Sequence, residues 1–532
     1  MIAAMDVTAA RAGRREWIGL AVLVLPTLLI SMDMTALFFA LPNLSADLGP
    51  SSAQQLWIMD IYAFMLAGFM ITMGSLGDRI GRRRVLLIGA AAFGAISVLA
   101  GYSQSAEMLI LARALLGVAG AALAPSTLSL IRNMFHDARQ RRTAIAIWTA
   151  GFSGGAGLGP MLGGVLLESF WWGSVFLVNV PVMVLLLILA PLLLPEYRDP
   201  GAGRLDLQSA LLSLAAVLPV VYGIKALAEE GLQWRPPAFI VFGLLAGVLF
   251  VRRQHRLDDP MLDVALFRKR AFSISISANV LSIFAIVGFG YFGTQYMQLV
   301  LGMSPLTAAL WTLLVAPAMG AAVLTATLLA RRVPPGYIVA GAMVLMAVGF
   351  AVLTQIRVDS PTLVLAAGFL GIIGGSGAVG ALAVDMIVAA APPERAGSAS
   401  ALSETGSEFG GAVGVALLGS IGAAIYHARM DTAVPSGLPP EAAEAARDTL
   451  GGATEVVRHL PEAIGGPLLT TAQEAFTEGM RASATAGAAI MVVTAVLAAF
   501  LLRHVRLAGA DGAEAPEREK RAEPVEELVE ER

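Results

Sequence analysis

The sequence predicts an all-α polytopic membrane protein with fourteen transmembrane helices, and three observations predict it. Hydrophobic residues make up 57% of the chain and charged residues 14%, whereas a soluble globular chain carries about 25% charged residues. Apolar segments recur that are long enough to cross a hydrocarbon core as helices, which takes about 20 residues each. Between them positive charge alternates: every second connection is basic, and most of the others carry no lysine or arginine.

Taken in order, residues 1–17 hold Arg11, Arg14 and Arg15 ahead of an apolar run with no cleavage site of small residues. A cytoplasmic start on a retained first span is expected, not a removed signal peptide. Spans are expected near 18–41, 55–76, 85–102, 107–130, 143–167, 174–194, 207–227, 236–251, 271–299, 305–329, 336–356, 361–391, 398–426 and 481–503. The stretch GSLGDRIGRRRVL, Gly74 to Leu86, fixes their orientation. Its Arg79, Arg82, Arg83 and Arg84 cannot enter a bilayer cheaply, so a water-exposed loop between spans two and three is expected, on the cytoplasmic side.

Parity then makes each later even-to-odd connection cytoplasmic. Arg139, Arg141 and Arg142 follow span four, and Arg198 and Arg204 follow span six. Arg252, Arg253, Arg256, Arg268, Lys269 and Arg270 follow span eight, Arg331 and Arg332 span ten, Arg395 span twelve, and Arg503 and Arg506 the last. The connections after spans one, three, five and nine contain no lysine or arginine; the exceptions are Lys225, Arg235, Arg357 and a long outer segment, 427–480. The expected location is the bacterial cytoplasmic membrane, with both termini inside.

In the outer segment, Glu441 to Leu450 and Ala472 to Met480 have helical spacing, which suits either an amphipathic hairpin over the outer mouth or a mobile connector. The tail 509–532 is charged, without apolar periodicity, and disorder is expected there.

Composition also excludes chemistry. There is no cysteine, hence no disulfide or thiolate metal site, and the five histidines fall in or beside expected loops. No phosphate-binding glycine loop ending in Lys-Ser or Lys-Thr is present, so ATP handling is not expected and an ion gradient is left to supply work. No metal, cofactor or nucleic-acid partner is expected, nor an enzyme, since no nucleophile and base pair up; a monomer in the lipid bilayer is.

The chain repeats itself. A shift of 256 residues lays Gly154, Gly155, Ala156 and Gly163 over Gly410, Gly411, Ala412 and Gly419, and Arg139 over Arg395, so spans five and thirteen correspond. Span five, with GGAGLGPMLGG, sets glycines four apart on one helix face, where another helix can approach closely, and Pro160 bends the span.

These features carry a resemblance. Gly74, Asp78, Arg79, Gly81 and Arg82 fill the pattern of the signature loop between spans two and three of the major facilitator superfamily, where it acts in the conformational switch. Gly155, Gly159, Pro160, Gly163 and Gly164 resemble the antiporter motif of that family's exporters. MDMTALFFALP at Met32 to Pro42, LILARALLGVAGAA around Arg113, and WGSVFLVNVP at Trp172 to Pro181 resemble motifs of its fourteen-span drug:proton antiporters. Residues 17–503 are covered. The resemblance implies two six-helix halves, 18–194 and 271–503, with spans seven and eight (207–251) as an inserted pair and cargo held between the halves near the midplane.

Charges inside spans are functional candidates by default. Counted at 1.5 Å per residue, Asp33, Asp60 and Arg113 share a depth of roughly 8 to 14 Å below the outer surface. The family's fourth-span arginine is associated with proton coupling; the alternative is a structural ion pair between Asp33 and Arg113, and such a pair can itself be the proton switch. On the inner half lie Asp385 in span twelve and Glu404 and Glu408, one turn apart, in span thirteen. Fourteen-span relatives usually carry Asn-Thr-x-Arg-Gln there, whereas this chain reads Glu404, Thr405, Gly406, Ser407, Glu408. That acidic face, with Asp60 in WIMDIYAF, resembles the Qac-type and methyl-viologen-type pumps for lipophilic cations.

The resulting expectation is a proton-coupled antiporter of hydrophobic mono- and dications working by alternating access. Asp33 and Arg113 couple protons, and Asp60, Glu404, Glu408 and Asp385 bind the cation. Export of an endogenous, even neutral, metabolite or antibiotic on the same fold is the alternative.

Overall fold

A computed structural model describes residues 12–198, 206–230, 233–257, 260–262, 264–390, 396–435 and 438–501. Arg11, Arg204, Arg395, Arg503, Arg506 and the tail 509–532, on which some expectations above rest, lie outside the described residues. Within them the chain runs as α1 (Arg14–Leu48), α2 (Ser52–Ile80), α3 (Arg82–Gly101), α4 (Ala106–Met134), α5 (Ala138–Ser169), α6 (Ser174–Leu177), α7 (Asn179–Leu193), α8 (Leu207–Glu230) and α9 (Arg235–Gln254). It continues as α10 (Arg270–Gln295, extended by a π turn to Val300), α11 (Pro305–Leu329), α12 (Pro335–Leu353), α13 (Thr362–Ala390), α14 (Ala396–Ala433), α15 (Pro440–Asp448), α16 (Leu450–Arg458) and α17 (Glu462–Leu501). With α6 and α7 acting as one span and α15 and α16 set aside, fourteen helices are long and apolar enough to cross a membrane. The all-α, fourteen-span expectation holds.

Local chemistry sets several helix starts. The side chains of Ser51, Ser105, Asp137 and Ser304 accept hydrogen bonds from the first-turn amides of α2, α4, α5 and α11, and Pro305 occupies the first turn of α11, where no amide is needed. Helix ends differ from the expected span ends, because an α-helix satisfies its own backbone in water as well as in lipid and a charge need not terminate it. The expected loop from Gly74 to Leu86 therefore shrinks to one residue outside a helix, Gly81. Likewise α17 begins at Glu462 and runs for 40 residues, about 60 Å, twice the hydrocarbon thickness.

The helices pack in two matching sets. In the first half α1 packs on α5, α2 on α4, α3 on α4, and both α3 and α1 on α7. In the second half α10 packs on α14, α11 on α13, α12 on α13, and both α12 and α10 on α17. Across the halves α2 meets α14 and α5 meets α11. The added hairpin of α8 and α9 lies beside one of these seams, because α8 touches both α2 and α14. Its α9 turns Leu244, Leu245 and Leu249 outward, as α11 turns Leu313, Leu314 and Leu324, which suits lipid.

Hydrogen bonds between the halves gather at the end opposite the arginine-rich one. There Tyr291 donates to Gln55 (3.0 Å), Gln298 to the Phe39 carbonyl (3.2 Å) and Ser304 to Glu168 (3.1 Å), while Ser52 meets His427 at 3.0 Å. At the same end α16 packs on α1 and α17, and Tyr426 donates to the Ala446 carbonyl at 3.0 Å. The segment 427–480 is thus the end of α14, a pair of short helices docked on the bundle, and the first part of the long helix α17.

Candidate functional site

At the depth of Asp33, α1 and α4 are joined by a buried ion pair. The Arg113 guanidinium donates to Asp33 Oδ2 and, through Nε, to the Ile58 carbonyl of α2 at 3.1 Å. It also stacks over the Tyr62 ring, 4.5 Å from the centroid, with Phe176 at 5.9 Å. Both partners are 1% exposed or less, so removing either one strands a charge, at a cost of about 3 to 5 kcal/mol. The pair is unfinished, since Asp33 Oδ1 and the Tyr62 hydroxyl have no hydrogen-bond partner among the described residues. Tyr62 lies within electrostatic reach of Asp33, Arg113 and Glu408 alike.

On the next face of α2, Asp60 pairs with Lys225 of α8. The ammonium is 2.9 Å from Oδ1 and 2.7 Å from Oδ2, and 3.7 Å from the centre of the Trp57 ring. The span Leu207–Ala228 contains no other charged side chain.

The acidic face of α14 divides. Glu408 is buried, with Oε2 unpartnered among the described residues, while Glu404 is half-buried a turn nearer the arginine-rich end, within electrostatic reach of Glu408 and of Arg132. Around them Asn279 donates to Ser407 at 2.8 Å, and the Thr405 hydroxyl lies 3.8 Å from the Met70 sulfur across the seam. Asp385 stands apart. It is exposed on α13 and forms no hydrogen bond or ion pair among the described residues, so the structure does not bring it to the other acids.

The glycines of α5 form a contact ladder. Gly155, Gly159 and Gly163 lie against Leu28, Met32 and Ala36 of α1, so closely that a methyl group at Gly163 would sit 3.3 Å from Ala36. Gly164, one residue on, faces the other half, where a methyl group would approach the Leu306 Cα to 2.9 Å. Pro160 sits inside the same helix. The second half repeats the ladder through Gly410 and Gly414 against Val280 and Phe284 of α10. Gly411, which the 256-residue shift lays over Gly155, meets only the Val287 side chain at ordinary contact distance, because one residue of offset turns a helix by about 100°.

At the arginine-rich end Gly81 takes φ 117°, a conformation that disfavours a side chain. Asp78 and Arg82 pair at 2.6 Å, and the Arg82 amide donates to the Tyr197 carbonyl at 2.9 Å. The Arg83 amide donates to Glu196 at 3.1 Å, and its guanidinium to the Leu194 carbonyl at 2.8 Å. The turn between α2 and α3 is thereby clamped to the segment after α7. Arg79 is exposed, and Gly74 packs loosely near Pro125 and Arg82.

Two residues of these arrangements escaped the sequence reading. Lys225 stood there only as an exception to the charge alternation, although an isolated lysine in an apolar span is itself a signal. Glu196 offered none, because its role depends on chain returning more than a hundred positions later.

The family model described as Major Facilitator Superfamily matches residues 23–415. The chain is 46% identical over 497 residues to "Multidrug efflux pump LfrA" of Mycolicibacterium smegmatis, covering 93% of this chain and 98% of that one. To "Methyl viologen resistance protein SmvA" of Salmonella typhimurium it is 34% identical over 484 residues, covering 91% and 97%. Among solved structures, an inward-facing, unoccupied bacterial homologue of the human lysosomal transporter Spinster superposes with a TM-score of 0.64 at 18% identity, covering 92% and 98%; that likeness concerns the fold.

Proposed function

The chain belongs to the Major Facilitator Superfamily, a transporter and not an enzyme, and on that premise we propose that it exports lipophilic mono- and dications across the bacterial cytoplasmic membrane in exchange for protons. The reading rests on one observation above all: two buried carboxylates, Asp33 of α1 in one half and Glu408 of α14 in the other, each keep an oxygen without a hydrogen-bond donor among the described residues, and both lie within electrostatic reach of Tyr62. A carboxylate left open in a low-dielectric seam gains most from a proton or a cation. It cannot hold both, which is the minimal logic of exchange.

Each positive charge moved outward against an inside-negative potential costs about 2.3 kcal/mol per 100 mV, so a dication needs at least two returning protons before the potential helps. Several carboxylates can divide that work. Protonation of Asp33 removes the counter-charge of Arg113, which then rests on the Ile58 carbonyl and the Tyr62 ring. Glu408, with Glu404 nearer the arginine-rich end, faces the cargo. With that end cytoplasmic, the hydrogen bonds between the halves close the outer mouth, and cargo enters from inside. The glycine ladders let the helices of each half move as tightly packed units.

The test is transport in everted vesicles of ethidium, a viologen and a neutral drug, with and without a proton gradient. Gradient-driven accumulation of the two cations is expected. Accumulation of the neutral compound alone would replace this reading with export of a neutral metabolite.

The names of the relatives, a multidrug efflux pump and a methyl viologen resistance protein, point the same way.

A further inference from the structure

The pair between Asp60 and Lys225 is unlike a fastener. Both side chains are 1% exposed or less, and a buried ion pair of that kind contributes little net stability, since desolvation offsets its attraction and well-packed apolar residues hold such a seam as well or better. The seam has those residues already. Around the pair, Phe64 of α2, Val221 of α8 and Ala412 and Ala416 of α14 form a buried apolar cluster, and Gly223 and Gly243 bring α8 and α9 into close contact.

The geometry around the ammonium is that of a cation site. A carboxylate holds it at one side and the face of an indole at the other, the two groups that recognise organic ammonium ions. Although Asp60 Oδ2 lies 2.7 Å from Lys225, no hydrogen bond of proper angle reaches it. Toward the arginine-rich end, the same seam between α2 and α8 opens into an apolar cavity of about 560 Å³, walled by Phe64, Gly68, Leu214, Val217 and Phe409. That volume and lining suit the hydrocarbon body of an organic cation.

We propose that Asp60 and Trp57 form an organic-cation site and that Lys225 is its tethered occupant, a side chain supplied by the added hairpin which cargo must displace. The proposal rests on the reading of the cargo as a lipophilic cation. Lys225 thereby sets a threshold, admitting only cations that outbid an ammonium already in place. A tether that fills the site about nine-tenths of the time weakens apparent affinity about tenfold. Asp60 also shares α2 with Ile58 and Tyr62, the groups that hold Arg113, so an exchange of occupants is transmitted to the coupling pair through one helix.

The experiment is equilibrium binding of tetraphenylphosphonium to the purified full-length protein in lipid nanodiscs, without any gradient. Lys225→Gln is expected to bind about tenfold more tightly than wild type, by the same occupancy argument. Asp60→Asn/Lys225→Gln is expected to lose that gain. Lys225→Arg keeps the charge and holds the carboxylate with two parallel donors, so it is expected to bind more weakly than wild type. Unchanged or weaker binding by a folded Lys225→Gln protein would overturn the proposal and leave the pair a structural tie. Should Lys225→Gln fail to fold, unchanged affinity in Lys225→Arg overturns it. Absence of binding and transport in wild type would instead overturn the cargo reading.

Discussion

Arg113 on α4 donates to Asp33 on α1 while its Nε holds the Ile58 carbonyl of α2, so one guanidinium ties three helices of the first half at a single buried point. The tie depends on the charge of one carboxylate. Neutralising Asp33 removes the ionic contact without removing the side chain, and a proton arriving there does the same.

Asp33→Asn is therefore expected to abolish proton-driven efflux of every substrate, cationic or neutral, while the protein still reaches the membrane. Initial efflux rates in vesicles, with protein quantified by immunoblot, provide the measurement. Retained gradient-driven efflux would remove Asp33 from the coupling step.

At the arginine-rich end, Asp78 pairs with Arg82 beside Gly81 and the Glu196 clamp, about two helical turns along α2 from Met70, where α2 meets Thr405 of α14. Asp78→Asn should leave equilibrium binding of tetraphenylphosphonium nearly unchanged and slow transport. Gly81→Ala should act in the same direction more strongly, because its methyl group would have to take a strained backbone and would press on Glu196. Weakened binding with normal exchange rates would contradict the assignment.

Asp206 ties the two ends of the added hairpin outside the membrane-spanning segments. It accepts from the Ser209 hydroxyl and amide and pairs with Arg253 at 2.9 Å. Partial burial alone would raise its pKa, but the hydrogen bonds from Ser209 and Arg253, with the Arg253 charge, outweigh that and hold it below the usual carboxylate range. A carboxylate with a depressed folded-state pKa contributes stability above its unfolded value, near pH 4, and loses it as pH falls through the folded value. Asp206→Asn should then lower the melting temperature at pH 7, by an amount that reflects on the order of 1 kcal/mol for a partly exposed pair. The difference should shrink as the pH is taken below about 4; a difference constant with pH would show that the contact is not ionic.

The span count, the arginine alternation, the glycine ladder of α5 and the depth shared by Asp33 and Arg113 were legible because each is periodic or local. Hydropathy over a single segment marks a span, and residues four apart mark a face. What pairs with what across helices was not legible. Asp60 reads as an open acid until α8 is seen to bring Lys225 against it, and nothing within either span specifies that the added hairpin packs there. The same limit hid Glu196 behind Gly81. Asp385 shows the converse: depth in a span says how far a charge lies from the surface, but not which way its helix face turns.

Charge selectivity isolates Glu408. Because its free oxygen lies in a low-dielectric seam, Glu408→Gln should weaken export of a dication more than of a matched monocation, by up to a few kcal/mol in the limiting case. Glu404→Gln should show a milder loss that depends more on salt, as suits its half-buried position. Equal losses for both charge classes would assign Glu408 to proton coupling or structure and leave Asp60 as the better cargo group.

The central claim is the exchange of protons for lipophilic cations, and it is tested most directly with purified protein in proteoliposomes, recording proton movement with an entrapped pH indicator while tetraphenylphosphonium or a viologen is added. Addition of either cation should drive protons in the opposite direction, more per molecule for the dication, and Asp33→Asn should abolish the signal. Cation transport with no accompanying proton movement would contradict the account.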